Sequence, residues 1–402
     1  MTGWRAVNTL FLCTTVLESL AFGHLTAFTP LYLAELGLER QDVGRWTGLL
    51  YAAMMAVAFP LAPFWGALAE RYSRRLIVVR SQYFAALGYA MTALAPDIWW
   101  VLGARLVLGL TYGNISVIIA TQAQITPRRH LGTAIATIQI AAPIAASFGP
   151  PIGAGLLGVV GLRGMLLIDA ALALTAALLT TFLMPEPAAK RPSGSVLART
   201  RATTTLVWRQ QVVRWNFAVW FLAQGGRATV DAYLPVRITE LVDDPAPVIG
   251  LVLGVYGVAT GLSTWFAARL VDERGGIRWL LPSMGIAALA TVAMVAVPSI
   301  WVVAVSHWSR AFAFAAAQTL LYAHLVHIVD ADDRTAVMAL TPMPRNAAMF
   351  AVPAIAAVLA PLGVGVALLV GAASYAGAAV SARLADRATE PPPPPRVADG
   401  QP

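Results

Sequence analysis

The chain runs in long apolar stretches separated by short polar turns. The stretches fall at approximately 6–34, 43–65, 76–95, 98–121, 132–159, 163–184, 213–236, 247–268, 278–297, 300–326, 335–360 and 362–382. Each is close to the roughly 20 mostly apolar residues that a helix needs to cross a bilayer. The pattern predicts an all-α polytopic membrane protein with twelve transmembrane helices, six on either side of a polar stretch from Pro185 to Val212. The first run follows a short N-terminus bearing Arg5, as a signal peptide would. It continues too far and has no clear small-x-small cleavage site, so it is read as an uncleaved span.

Composition supports a membrane protein. Hydrophobic residues make up 58% of the chain and charged residues 12%, with a mean hydropathy of +0.69; soluble domains carry about twice that share of charge. The net charge of +8 sits in the turns and forms no continuous basic face, which argues against a nucleic-acid partner. Twenty lysines and arginines fall on one side of the predicted spans, and only Arg40, Arg45, Arg163 and Arg237 on the other. That asymmetry predicts that both termini and the central linker are cytoplasmic in a bacterial-type inner (plasma) membrane. Trp46, Trp99, Trp100 and Trp301 lie at the opposite ends of spans, where an outer aromatic belt would form. Cys13 is the single cysteine and carries no redox signal. No metal-spaced His/Cys cluster, phosphate-cradling glycine loop or nucleophile elbow is present, so neither an enzyme, a metal nor a cofactor is expected.

The turn between the second and third stretches reads Gly66-Ala67-Leu68-Ala69-Glu70-Arg71-Tyr72-Ser73-Arg74-Arg75. About half a chain later, Ala268-Arg269-Leu270-Val271-Asp272-Glu273-Arg274-Gly275 makes a similar turn. Arg105 in the fourth stretch has a counterpart in Arg310 in the tenth, and Pro150 in the fifth has one in Pro353 in the eleventh. Such duplication predicts two pseudo-symmetric six-helix bundles, at 1–184 and 213–387. A linker at 185–212 joins them and a Pro-rich tail at 388–402 follows. Inverted or repeated halves of this kind are typical of secondary transporters, whose substrate site lies between them near the midplane. The linker suits either an interfacial helix, through Val196-Leu197 and Leu206-Val207-Trp208, or a disordered tether.

Gly66 to Arg75 resembles the loop signature of the major facilitator superfamily, with Glu70 in place of its aspartate and Ser73 in place of a glycine. Leu102, Arg105 and Gly109 resemble that family's fourth-span pattern. Gly149-Pro150-Pro151-Ile152-Gly153-Ala154 is similar to its fifth-span pattern, associated with the twelve-span drug:proton antiporter branch. The resemblance implies alternating access between two halves, a central cavity, a small-molecule substrate, protons and membrane lipid as partners, and a monomer. Serine for glycine at 73 is expected to alter the turn, since glycine alone takes left-handed geometry freely.

Glu18 lies twelve residues into the first span, about 18 Å along a helix and so near mid-bilayer. A charge there is costly unless protonated, paired or hydrated. An acid whose proton affinity follows its surroundings can couple a proton to a conformational change, although a static role orienting a neighbouring helix is the plainer alternative. Arg105, somewhat nearer the outer end, is the expected partner. Arg227 and Asp231, spaced i, i+4, can pair on one face; Asp231 joins Glu18 and Arg105 as a proton-coupling candidate. His24, Tyr112, Arg227, His307, Arg310 and Arg345 are candidates to line the cavity, while Asp169 is read as structural. The buried candidates hold more arginines than acids, which leaves anionic or zwitterionic substrates open. Gly250, Gly254, Gly257 and Gly261 form one stripe against which Gly149, Pro150 and Gly153 are expected to pack as a moving seam. Gly66, Glu70, Arg71, Arg74, Arg75 and Asp272 complete the candidate switch. In it, Glu70 would meet the positive end of the eleventh span and latch the cytoplasmic ends in the outward-open state.

The expected function is secondary active transport, with protons exchanged for exported small amphipathic compounds. The alternatives are a proton-linked carrier or facilitator of an organic anion or metabolite, and a non-transporting sensor or lipid-handling protein.

Overall fold

The computed structural model describes residues 3–186, 210–271, 276–329, 337–338 and 340–389, without the side chains of 62, 63, 66, 67, 70 and 389. Among the described residues the regular structure is helical. The long helices are α1 (Trp4–Glu35), α2 (Arg40–Arg71), α3 (Arg74–Ala93), α4 (Ile98–Gly109), α5 (Asn114–Ile125), α6 (Leu131–Leu183), α7 (Gln211–Thr239), α8 (Pro245–Ala267), α9 (Leu280–Ala296), α10 (Ile300–Ile328), α11 (Pro342–Leu359) and α12 (Val364–Thr389). Eight helical stretches are long and apolar enough to cross a membrane, α4 and α5 counting as one. α2, α3 and α7 fall outside that set; α3 and α7 carry polar groups buried inside the protein, Ser81 and Gln82 in α3 and Asn216 and Gln224 in α7.

Three stretches differ from the sequence reading. The fourth does not run as one helix. Gly113 takes φ 99°, a left-handed geometry that only glycine adopts freely, and separates α4 from α5. The carbonyls freed by the break find donors: Arg80 Nη1 reaches Leu110 O at 2.8 Å, Thr111 Oγ1 reaches Leu108 O at 2.7 Å and Ser116 Oγ reaches Gly113 O at 3.0 Å. The fifth and sixth stretches form one helical run, α6, that turns at Gly161 (φ 69°, ψ 179°).

The Gly66–Arg75 segment is also more helical than a turn. α2 continues to Arg71 and α3 begins at Arg74. Ser73, at φ −159°, needs no left-handed geometry; its Oγ accepts from Leu76 N at 3.0 Å and caps α3. Serine is a good N-cap because its oxygen satisfies an otherwise orphaned amide.

α1 lies against α6, and α3 against α4 and α6; α7 lies against α11 and α12, and α9 against α10 and α12. Two seams join the first six helices to the last six. In one, α8 glycines meet α6: a Cβ on Gly250 would come within 2.9 Å of Ala154 Cβ, and one on Gly254 within 3.2 Å of Pro151 Cδ. Gly257 is tighter still against Ser147, while Gly261 has nothing within 4 Å, so the two helices part beyond it. In the other seam α2 meets α7 and α11. A Cβ on Gly48 would clash with the Tyr233 hydroxyl and lie 3.0 Å from Ala357 Cβ, and Gly44 sits against Val364. Arg40 Nη2 donates to Thr239 O at 3.5 Å at the same end. The halves are therefore sealed at the end holding Arg40 and Thr239 and diverge towards the end holding the chain termini.

Candidate functional site

A chamber of about 510 Å³ lies between the halves, with Glu18, Tyr112 and Asn114 on one wall and Gln224, Arg227 and Arg345 on the other. A second cavity of about 190 Å³ continues towards the sealed end past Thr29, Arg105, Asp231 and His307. Phe22, Met54, Arg227 and Tyr256 line both.

Glu18 faces the chamber, but its partners are neutral. Gln82 Nε2 donates to Oε1 at 2.7 Å and Asn114 Nδ2 to Oε2 at 2.9 Å. Asn114 is the first residue of α5, so the positive end of that helix lies beside the carboxylate. Two amide donors and a helix end offset part of the cost of holding an acid inside the protein. The glycine break builds this arrangement, because a continuous helix would have no N-terminus there.

Arg105 does not reach Glu18. Its Nη2 donates to Thr29 Oγ1 at 2.6 Å, eleven residues beyond Glu18 and thus about 16 Å further along α1. Arg310, its counterpart, reaches across its own half in the same way. Its Nη2 lies 2.9 Å from Asp231 Oδ1 on α7 and its Nη1 donates to the Tyr375 hydroxyl at 2.9 Å. Thr29 and Asp231 are 202 positions apart, so the sequence repeat is also a geometric one, with a hydroxyl in one half where the other has a carboxylate. Asp231 also takes Arg227 Nη1 at 2.7 Å, the expected i, i+4 pair. One carboxylate thus serves two arginines. Arg310 is fully buried and supports Asp231 from behind, so it does not line either cavity.

His307 Nδ1 lies 3.1 Å from Arg310 Nη2. A guanidinium only donates, so Nδ1 accepts and the ring proton sits on Nε2. That nitrogen is buried without a partner, on a ring that stacks at 5.5 Å on Tyr256 and lines the smaller cavity. Arg345 meets no carboxylate among the described residues, and its Nε is buried and unpartnered.

His24 lies elsewhere. Its Nδ1 is 2.7 Å from Asp169 Oδ1, with both side chains buried between α1 and α6. The pair explains how Asp169 is accommodated and turns His24 away from the chamber that the sequence reading assigned to it. Gly149 and Gly153 also pack on α1 and not on α8: Gly149 faces Gly23, and a Cβ on Gly153 would come within 2.6 Å of Phe28 and 2.8 Å of His24. The cross-half contacts belong instead to Pro150, Pro151 and their neighbours.

Among the switch residues, Arg74 caps its own half, donating to Gln124 Oε1 at 2.7 Å and to Ala120 O at 3.2 Å in the last turns of α5. Arg71 lies 5.5 Å from the Tyr72 ring. Arg75 begins α3 beside it. Gly66 and Glu70 fall within α2, but their side chains lie outside what is described, as do Asp272, the linker at 187–209 and the proline run. Sequence reasoning missed Gln82, Asn114, Gln224 and Gln318. Buried amides in apolar spans were the available signal: Gln224 Oε1 accepts from both Arg227 Nε at 3.1 Å and Gln318 Nε2 at 3.2 Å.

Apolar helices of membrane length around a charged chamber define a polytopic membrane protein. The signature of the Major Facilitator Superfamily matches residues 11–242, and the chain belongs to that superfamily. Among its relatives, the multi-drug resistance efflux pump PmrA homologue of Lactococcus lactis subsp. lactis (strain IL1403) is 28% identical over 267 residues, 65% of each chain. The multidrug resistance protein MdtG of Yersinia enterocolitica is 29% identical over 285 residues, 69% of this chain and 68% of that one. The chain thus aligns with about two thirds of the length of these relatives. In fold it is similar to the crystal structure of a bacterial homologue of the human lysosomal transporter Spinster, inward-facing and unoccupied: the TM-score is 0.69 at 15% identity, over 97% of this chain and 99% of that one.

Proposed function

We propose that the protein is a proton-coupled exporter of small amphipathic compounds that works by alternating access, as a monomer and without a bound cofactor. The relatives named as multidrug efflux proteins support the export reading. We read twelve spans in two six-helix bundles: α6 supplies two by its turn at Gly161, α4 and α5 together supply one, and each other helix supplies one. The arginine and lysine asymmetry supports placing the termini and linker in the cytoplasm. On that orientation the sealed end is periplasmic and the chamber is open inward.

The observation that carries the proton reading is Glu18, a carboxylate on the chamber wall held only by neutral amides. A permanently paired acid has nothing to gain from a proton. Glu18 can take one when its half tilts and Gln82 or Asn114 moves off, whereas Asp231 is committed to two arginines. Everted vesicles with an imposed pH gradient test this. Substrate-dependent proton release that disappears with Glu18→Gln is expected; normal gradient-driven efflux by that variant would remove Glu18 as the proton carrier. The uncommitted Arg345 favours, as a second reading, a proton-linked carrier of an organic anion, which uptake assays in the opposite direction would reveal.

A further inference from the structure

A cavity of about 1430 Å³, larger than the central chamber, is a groove between α6 and α8 that opens sideways. Ile144 and Phe148 line it on α6, and Leu251, Val258 and Trp265 on α8. All five are exposed, and nothing among the described residues covers them. The groove runs alongside the glycine seam, past Gly254, Gly257 and Gly261. It is not separate from the charged chamber: Pro143, Tyr256, Phe314 and Gln318 are walls of both. A molecule with a polar end in the chamber and an apolar part in the groove would lie against these shared walls.

The charge balance of the chamber decides which polar end fits. Asp231 already binds Arg227 and Arg310, and Glu18 already accepts from two amides. With Glu18 protonated, no acid among the described chamber residues is left over to receive a cation. Arg345 is left over, on the chamber wall that also carries Arg227. It stands in the first turns of α11, where the helix dipole adds to its positive potential instead of cancelling it. Arg227 donates from Nε and Nη1 to Gln224 and Asp231, and its guanidinium also interacts with the Tyr256 hydroxyl; five N–H groups leave it a further donor for a ligand. Gln318 Nε2, bonded to Gln224 Oε1 through one hydrogen, has a second hydrogen to give.

We propose that the transported ligand is an amphipathic organic acid, its anionic group seated between Arg345 and Arg227 and its apolar tail lying in the groove between α6 and α8. This rests on the second transport reading above, a proton-linked carrier of an organic anion, and names its substrate class. The seat also constrains Glu18, which faces it across the chamber: an ionised Glu18 repels the anion and a neutral one does not. The acid therefore binds more tightly when Glu18 carries its proton.

The test uses the full-length protein in lipid nanodiscs and a long-chain alkyl carboxylate bearing a photoreactive diazirine near the tail end. Its trimethylammonium analogue serves as the counter-probe. The carboxylate should label 140–155 and 247–265, and the ammonium analogue should not. Arg345→Gln should lower labelling roughly tenfold, as loss of a charge-assisted hydrogen bond does, with Arg345→Lys retaining most of it. Gly261→Phe, whose side chain enters open space, should weaken binding of the long-chain acid and spare that of a short-chain one. Glu18→Gln should strengthen labelling. Equal labelling by the ammonium analogue, or indifference to Arg345→Gln in protein that remains monodisperse, would overturn the proposal. Labelling suppressed by phosphatidylglycerol but not phosphatidylcholine would assign the groove to a resident lipid and overturn it too. If vesicles still pump other compounds while the acid does not bind, this inference alone fails. If the acid binds but no compound is ever pumped, the seat stands and the transport reading fails.

Discussion

At the scale of single residues, the two acids of the chamber behave differently because their partners differ. Asp231 is a structural counter-ion. Asp231→Asn would leave Arg310 fully buried with only Tyr375 and His307, and breaking a buried pair in this way costs about 3–5 kcal/mol. We expect a marked fall in thermal stability in detergent, partly restored when Arg310 is replaced by methionine in the same chain. Glu18→Gln, by contrast, keeps the hydrogen-bonding shape and removes only the charge. It should fold with a melting temperature close to the parent and lose proton-dependent turnover by at least tenfold, of the order seen when a proton-transfer group is removed. Thermal melts read alongside vesicle efflux separate the two. Much of this was legible in the sequence: Glu18, Arg227 and Asp231 stand out because charge is rare in apolar spans. The partner of Glu18 was not, because Gln82 and Asn114 carry no charge, and depth along the chain pointed to Arg105 while the helix rise puts Arg105 beside Thr29.

At the scale of elements, glycines decide where helices break and where they slide. Gly113 is the former. An alanine there must adopt φ near 99° or force the break to straighten, and left-handed geometry costs about 1–2 kcal/mol for a residue with a Cβ. Gly113→Ala should lower stability by about that amount and loosen the Asn114 contact to Glu18. A raised proton leak or altered pH dependence of efflux, with unchanged expression, is the expected readout. Gly254 and Gly153 illustrate the latter. Both looked like seam residues in the sequence, since small residues on spans five and eight mark close approach. Sequence spacing does not say which neighbour is approached. Gly254 faces Pro151 across the halves, whereas Gly153 faces Phe28 and His24 within its own. Gly254→Leu should therefore leave a folded protein with stalled transport, and Gly153→Leu should reduce the folded yield itself. Size-exclusion profiles and efflux measured on the same preparations distinguish the outcomes, and equal folded yields would contradict the assignment.

At the scale of the whole molecule, the repeat of arginines and prolines at one offset was legible in the sequence, and the Arg105–Thr29 and Arg310–Asp231 bonds repeat it in space. The state of the chamber was not legible, since any alternating-access sequence must encode both states with similar stability. The structure shows one of them, sealed where α2 meets α7 and α11. On the proposed orientation, a proton entering in exchange for a neutral compound carries positive charge inward, so an inside-negative membrane drives the exchange, by about 2.3 kcal/mol per charge per 100 mV. The cycle then needs only that the seal can open, and Gly48 gives a handle on it. A side chain there would strike the Tyr233 hydroxyl and Ala357, contacts that exist only while this end is closed. Overpacking costs about 1–3 kcal/mol, and about 1.4 kcal/mol is tenfold in a two-state equilibrium. Gly48→Leu should thus move the population from inward-open towards outward-open by roughly five- to a hundredfold. Spin labels across the Arg40–Thr239 end should report longer distances by double electron–electron resonance. Labels across the terminal end should report shorter ones, as the cytoplasmic halves close. That closed cytoplasmic state is the one in which Glu70 is proposed to latch against α11. Adding Glu70→Gln to Gly48→Leu should then return part of the population to inward-open. If the double variant keeps the distances of Gly48→Leu alone, Glu70 is not the latch; if Gly48→Leu moves no distance at all, the seam between α2, α7 and α11 is not the gate.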